Sequence, residues 1–196
     1  MSVIRRISCW IVRRYTTTWM IIFFLISFIF LWLFNVSLFP ISNQELIKLS
    51  GHQGMLDRMF FYSAQDAFTA LKNYGALGRK LYLAILFTDF FFIIVYNLAF
   101  SFLITAILLI ICGNGSAWLK LNVIPFGMGF FDCIENICIV VMLKIYPLNS
   151  KIIGTISGLA TLCKWVFALV LLSCLIYSGI LIFLHCFGFW KYTIKR

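Results

Sequence analysis

Acidic side chains are scarce in this 196-residue chain, which has six Asp and Glu against 16 Lys and Arg. Charged residues of both signs make up only 11% of it. A soluble domain is about a quarter charged, so this composition cannot supply a water-facing shell. The hydrophobic share of 63% calls for lipid, and the chain reads as an all-α integral membrane protein. Cysteine pairing motifs are missing as well: no two of the seven cysteines have C-x-x-C spacing. That argues against a disulfide framework, a zinc site and a quinone-linked thiol oxidoreductase. No P-loop, dinucleotide fingerprint or G-x-S-x-G is present, so no cofactor is expected. The aspartate-rich motif of CDP-alcohol phosphotransferases and the signatures of lipid phosphate phosphatases are also missing.

The net charge of +10 does not point to nucleic acid. The basic residues are dispersed over termini and loops, with no aromatic-interleaved patch. Arg5, Arg6, Arg13 and Arg14 precede the first apolar run and read as a positive-inside anchor. That run, Trp19 to Phe39, is too long for a signal-peptide core and lacks a small-residue cleavage site. An uncleaved signal anchor fits it, with a mitochondrial presequence over Met1–Thr18 as the alternative. The expected location is a bacterial inner membrane with the N-terminus cytoplasmic; the alternative is an organelle membrane. The charge count for this orientation is close. Arg5, Arg6, Arg13, Arg14, Lys120, Lys191, Lys195 and Arg196 lie inside, against Lys48, Arg58, Lys72, Arg79, Lys80, Lys144 and Lys151 outside.

What is present is four long apolar runs. A span needs about 20 residues, and the runs are 19–39, 81–112, 121–146 and 152–187. They predict a single membrane domain over 1–196, a four-transmembrane-helix bundle. Breaks fall at Pro40, Gly113–Ser116 and Pro147–Ser150. The last two connections are short, so the second, third and fourth spans should be antiparallel neighbours. Residues 41–80 form an extramembrane loop with two capping-box patterns, Ser42–Glu45 and Ser63–Asp66. Two short helices are expected there, the second amphipathic and closed by Gly75. They serve either as an ordinary ordered loop or as a lid. Trp19 and Trp190 suit interfacial belts, and His52 and His185 lie away from the charged positions discussed next.

Asp89, Asp132, Glu135 and Lys164 sit inside the apolar runs. A charge near the bilayer centre costs about 2.5–3.5 kcal/mol on insertion scales, and such residues mark functional sites by default. Counting about 1.5 Å of rise per residue from the two short turns places Tyr96, Asp132, Glu135, Asn136 and Lys164 at one depth. Asp89 comes out about 10 Å nearer the loop. Asp132, Glu135 and Asn136 share a helical stripe, and Tyr82, Asp89 and Tyr96 recur every seven residues along another. The arithmetic predicts a polar floor of Tyr96, Asp132, Glu135, Asn136 and Lys164. Asp89, Tyr82 and Arg79 would line its mouth. A hard cation on Asp132 and Glu135 is conceivable, but no substrate-phosphate motif accompanies them and no metal is assigned.

From Leu49 to about Val170 the chain resembles an uncharacterised family of small four-span bacterial membrane proteins. The matching residues are Leu56-Asp57, Tyr62-Ser63, Gly75–Tyr82 (G-x-x-G-R-x-x-Y), Asp89, Tyr96 and Pro125. They continue with Asp132–Asn136 (D-x-x-E-N) and Thr161–Trp165 (T-x-x-K-W). Where the family often has a proline four residues after its first membrane aspartate, this chain has Ile93. The resemblance implies the fold and the key positions and carries no activity with it.

These residues predict a site that binds or processes a lipid or another hydrophobic small molecule. Glu135, Asp132 and Lys164 would be its acid–base groups, and Tyr96, Asn136, Asp89, Arg79 and Tyr82 its ligand contacts. The alternatives are a structural or accessory subunit of a larger membrane complex, in which the charges only orient helices, and a proton-coupled transporter. The expected partners are membrane lipid and that ligand, with homo-oligomerisation or a larger assembly as a further expectation.

Overall fold

A computed structural model describes residues 2–35 and 39–186. Among them are seven α-helices and no strand. Four helical segments are long and apolar enough to cross a membrane. Helix α2 (Thr17–Asn35) is the first, α5 (Gly75–Cys112) the second and α7 (Lys151–Cys186) the fourth. The third is α6 (Ile124–Ile145), preceded by a 3₁₀ stretch over Ala117–Val123. The all-α multi-span class expected from composition is therefore observed. Trp190, Lys191, Lys195 and Arg196, and the end of the fourth run at Phe187, lie outside the described residues.

Two boundaries differ from expectation. Among the described residues the first span is helical over Thr17–Asn35, and Phe39, its expected end, is not helical. The second begins six residues early, because α5 opens at Gly75 itself, which directly follows Tyr74, the C-cap of the preceding helix. Gly75 takes a left-handed φ of 62°, which lets the chain turn between the two helices without a break. At 38 residues α5 is about 57 Å long, well beyond a hydrocarbon core of about 30 Å. Its first turns, like those of α7, project into the loop layer.

The loop is ordered by its caps and by its own core. Ser42 accepts from the Glu45 N–H ahead of α3 (Asn43–Ser50), while the Glu45 carboxylate turns away to Lys48. Ser63 and Asp66 form the full reciprocal box ahead of α4 (Ala64–Asn73). The hydroxyl and N–H of Ser63 hold the Asp66 carboxyl below its ordinary pKa range. Apolar residues at α-helical spacing, Leu46 on α3 and Ala67, Ala70 and Leu71 on α4, then close over Tyr82, Ile85 and Leu86 of α5 and Met142 of α6. The loop thus has a hydrophobic core of its own, continuous with the membrane helices.

Helices α6 and α7 make the most extensive contact in the molecule, and α5 packs on α6. Helix α2 leans mainly on α5 and makes no extensive contact with α7, so a gap remains between the first and last spans. At the opposite end, α1 (Val3–Arg14) is an amphipathic helix packed on the 3₁₀ stretch and α5. The Ser8 hydroxyl donates to the Leu119 carbonyl, and Asn122 donates to Thr105 and to the Ser8 carbonyl.

The loop sits directly on the backbone of α7. A Cβ at Gly158 would collide with the Tyr62 carbonyl, and one at Gly154 would come within 2.8 Å of the Ala64 backbone. Backbone cannot step aside as a flexible side chain can. Gly158→Ala is expected to destabilise the protein by about 1–3 kcal/mol. Gly179→Ala, where nothing lies within 4 Å, should change stability by no more than about 1 kcal/mol. Thermal unfolding of both variants in the same detergent checks the contrast.

Candidate functional site

The site is built by three stripes. On α7 the residues Gly154, Ser157, Thr161 and Lys164 recur at i, i+3, i+7 and i+10, which puts them on one face. The small pair lets the loop approach, the hydroxyls follow, and the lysine ends the row. On α6 the Asp132–Glu135–Asn136 stripe faces two neighbours at once. On α5 the heptad row Tyr82, Asp89 and Tyr96 faces α6 and the loop.

Lys164 is the hub. Its ammonium donates to Glu135 Oε2 at 2.6 Å, to Asp132 Oδ1 at 3.1 Å and to the main-chain carbonyl of Asp57 at 3.2 Å. An ammonium has three protons, so its donor capacity is filled. Glu135 is completely buried and also fully bonded. Its Oε1 accepts from Thr161 at 2.6 Å and from Tyr62 at 3.2 Å. The Tyr62 hydroxyl lies 2.6 Å from Ser157, whose own proton can complete the chain. Burial and the neighbouring Glu135 push the Tyr62 phenol upward, so it stays a donor. Tyr96 donates to the other oxygen of Asp132 at 2.7 Å.

The depth arithmetic needs one correction. Asn136 does not lie in the Asp132 layer. Its amide donates to Asp89 at 2.7 Å, four residues along α6 from Asp132. Because α5 and α6 are antiparallel, Asp89–Asn136 forms a second rung on the loop side of Tyr96–Asp132. Asp89 is therefore paired with a buried amide of α6 beside the Lys164 network and is not hydrogen-bonded to it among the described residues. Two of the expected mouth residues are used elsewhere. Tyr82 is buried, and its hydroxyl accepts from the Leu56 N–H at 3.0 Å. Arg79 donates to the Leu71 carbonyl at 3.0 Å and lies 4.0 Å over the Tyr146 ring. Both hold the loop to the helices, and neither lines the cavity described next.

A cavity of about 650 Å³ occupies the gap between α2 and α7. Phe24, Phe28, Leu31 and Phe34 of α2 and Phe92 and Phe100 of α5 give it apolar walls. Its polar end is formed by Asp57, Asp89, Tyr96, Asp132 and Lys164, with Arg58 and Trp165 beside them. Glu135 and Asn136 stand behind this end and do not line it. Within the described residues no group of three or more metal-ligating side chains is placed to hold an ion.

Asp57, Arg58, Tyr62 and Trp165 belong to the site; none is among the candidate site residues of the sequence, although Asp57, Tyr62 and Trp165 fall within the motifs that carry the family resemblance. Asp57 lies on the 3₁₀ turn Leu56–Arg58. Its Oδ1 is shielded from water and has no hydrogen-bond partner among the described residues. Burial outweighs the nearby Lys164 and raises the Asp57 carboxyl above its ordinary pKa. Arg58 reaches across to Asn35 at 2.6 Å, which ties the loop to the end of α2. Trp165 donates to the Met59 carbonyl at 2.9 Å and stacks on Phe60 at 4.9 Å. The signal that could have found these residues is the row of small residues and hydroxyls on α7, which marks where the loop must land.

Two predictions follow from the charges. Lys164→Met leaves two buried carboxylates facing each other and should cost about 3–5 kcal/mol. Adding Glu135→Gln to it should recover part of that loss, so a double-mutant cycle on thermal stability should show strong coupling. The Asp57 carboxyl binds its proton more tightly in the folded than in the unfolded protein. The folded state is therefore favoured below the unfolded pKa and loses that advantage as pH rises through the raised folded value. Asp57→Asn should accordingly raise the melting temperature at alkaline pH and change it little in acid.

No family model, no curated protein and no solved structure matches this chain.

Proposed function

We propose that this multi-span membrane protein binds an amphiphile drawn from the bilayer, with its tail against the phenylalanine walls and its head at the charged end. The observation that carries this reading is the cavity itself. It is apolar along most of its length, ends in a charged cluster, and lies in a gap between helices that faces lipid. Ligand sites are commonly mostly apolar clefts of about 300–1,000 Å³ with a few placed polar groups, and this one falls within that range. Asp57, Asp89, Tyr96, Asp132 and Lys164 are the head-group contacts in this reading. If the bound molecule is also processed, Tyr96–Asp132–Lys164 is the hydrogen-bonded path along which a proton would move. Glu135 is a positioning residue, since no occupant of the cavity reaches it. Arg79 and Tyr82, placed away from the cavity, act on the loop. Membership of the resembled four-span bacterial family, an N-terminus in the cytoplasm and access from the outer leaflet complete the proposal.

One observation favours a second reading, an accessory subunit of a membrane complex. Glu135 and Lys164 are bonded to each other and to protein groups on every side, as a purely architectural pair would be. Ser27 separates the two readings. It lines the cavity from α2, and its hydroxyl donates only to the Phe23 carbonyl within its own helix. Ser27→Trp fills the cavity without touching a charge. Mass spectrometry of lipids and metabolites co-purifying with the protein should show a bound amphiphile reduced by about tenfold or more in the variant, equivalent to about 1.4 kcal/mol. Identical bound material in both proteins would sink the amphiphile reading.

A further inference from the structure

The charges around the cavity do not balance, and the imbalance specifies its ligand. Four carboxylates meet at its polar end: Asp57, Asp89, Asp132 and, behind them, Glu135. Two cations accompany them. Lys164 is divided between Glu135 and Asp132. Arg58 is exposed, donates to Asn35, and forms no ion pair within 4.0 Å among the described residues. Asp89 is left with the amide of Asn136, and Oδ1 of Asp57 with no donor. Two carboxylates facing the cavity thus lack a cation in contact.

An anionic head group has no good place here. Every proton of Lys164 is already committed, so none remains for a phosphate or a carboxylate, and the incoming charge would face three aspartates. An uncharged head group could hydrogen-bond but would give Asp57 and Asp89 no counter-charge, so neither could ionise without cost in this weakly polar setting. A bare metal ion does not fit either, because the described acids do not converge on one point. The rings of Phe92, Tyr96 and Trp165 line the same cavity. Aromatic faces beside carboxylates are the surroundings that hold alkylammonium groups.

We propose that the head group bound in this cavity is cationic, an amine or quaternary ammonium on an apolar tail, lodged between Asp57 and Asp89 with aromatic rings beside it. This rests on the amphiphile reading given above and names its ligand class.

The test uses the full chain in an uncharged sugar detergent, with tritiated hexadecyltrimethylammonium as the probe. Hexadecylamine, hexadecanol and hexadecanoate, which share the same tail length, compete against it. The expected order has the two cations about tenfold or more tighter than the alcohol, with the carboxylate weakest. Asp89→Asn keeps an oxygen for the Asn136 amide and should remove the advantage of the cations over the alcohol. Asp57→Asn should act in the same direction and keeps the test open if the Asp89 variant does not fold. Equal binding of alcohol and ammonium would overturn the cationic head group and leave the amphiphile reading standing. If no competitor displaces the probe and Ser27→Trp leaves its retention unchanged, both fail.

Discussion

The ammonium of Lys164 is the point on which the rest of the structure depends. Among the described residues it is the only cation in contact with the membrane-embedded carboxylates, and its three protons go to three different groups. Two lie on α6 and the third is a carbonyl of the loop. One side chain therefore fixes the register of α6 against α7 and the height of the loop above both. Glu135 and Asp132 spread the constraint, the first through Thr161, Tyr62 and Ser157, the second through Tyr96 to α5. The arms reach α5, the loop and α7 itself. In lipid an unsatisfied polar group costs several kcal/mol, so the network tolerates few alternative packings.

The same network divides into a supporting half and a receiving half. Glu135 and Asn136 are buried and turned away from the cavity. Asp57 and Asp89 face it and are incompletely partnered. Asp132 belongs to both, with one oxygen on Lys164 and the other on Tyr96. Anything that changes the charge at the cavity end reaches Lys164 through this shared carboxylate. The loop takes part in the same way, since Leu56 N–H, the Asp57 carbonyl and the Met59 carbonyl hold it to Tyr82, Lys164 and Trp165.

Much of the membrane part was legible because hydropathy and helical rise are strict. The four apolar runs became four long helices, and the heptad row Tyr82, Asp89, Tyr96 shares a face as its spacing requires. The partnership of Lys164 with Glu135 also follows from counting residues outward from the turn between α6 and α7. Finer placement failed where one stripe serves two neighbours. Asp132 and Asn136 are four residues apart and bond to α5 at different heights, a separation that counting to a single level hides. The contribution of the loop could not be counted at all, because no fixed rise links Asp57 or Tyr62 to the helices. Arg79 was misplaced for a related reason. Its flexible side chain found a carbonyl and an aromatic face close by, and position along α5 alone does not say which way it reaches.

The filled ammonium also bears on how the chain enters the membrane. Lys164 follows Glu135 by 29 residues, so a ribosome has made both acids of α6 before it makes their cation. Synthesis at about 5–20 residues per second separates them by seconds. If α6 moved alone into lipid in that interval, it would carry two carboxylates with no counter-charge. The extensive α6–α7 contact and the short turn between them offer another route, in which the two helices leave the insertion machinery together as a hairpin with the lysine already in place. Thr161 and Ser157 precede Lys164 on α7 and reach the growing hairpin first. The Thr161 hydroxyl gives Glu135 a first hydrogen-bond partner, and the Lys164 ammonium then supplies the counter-charge.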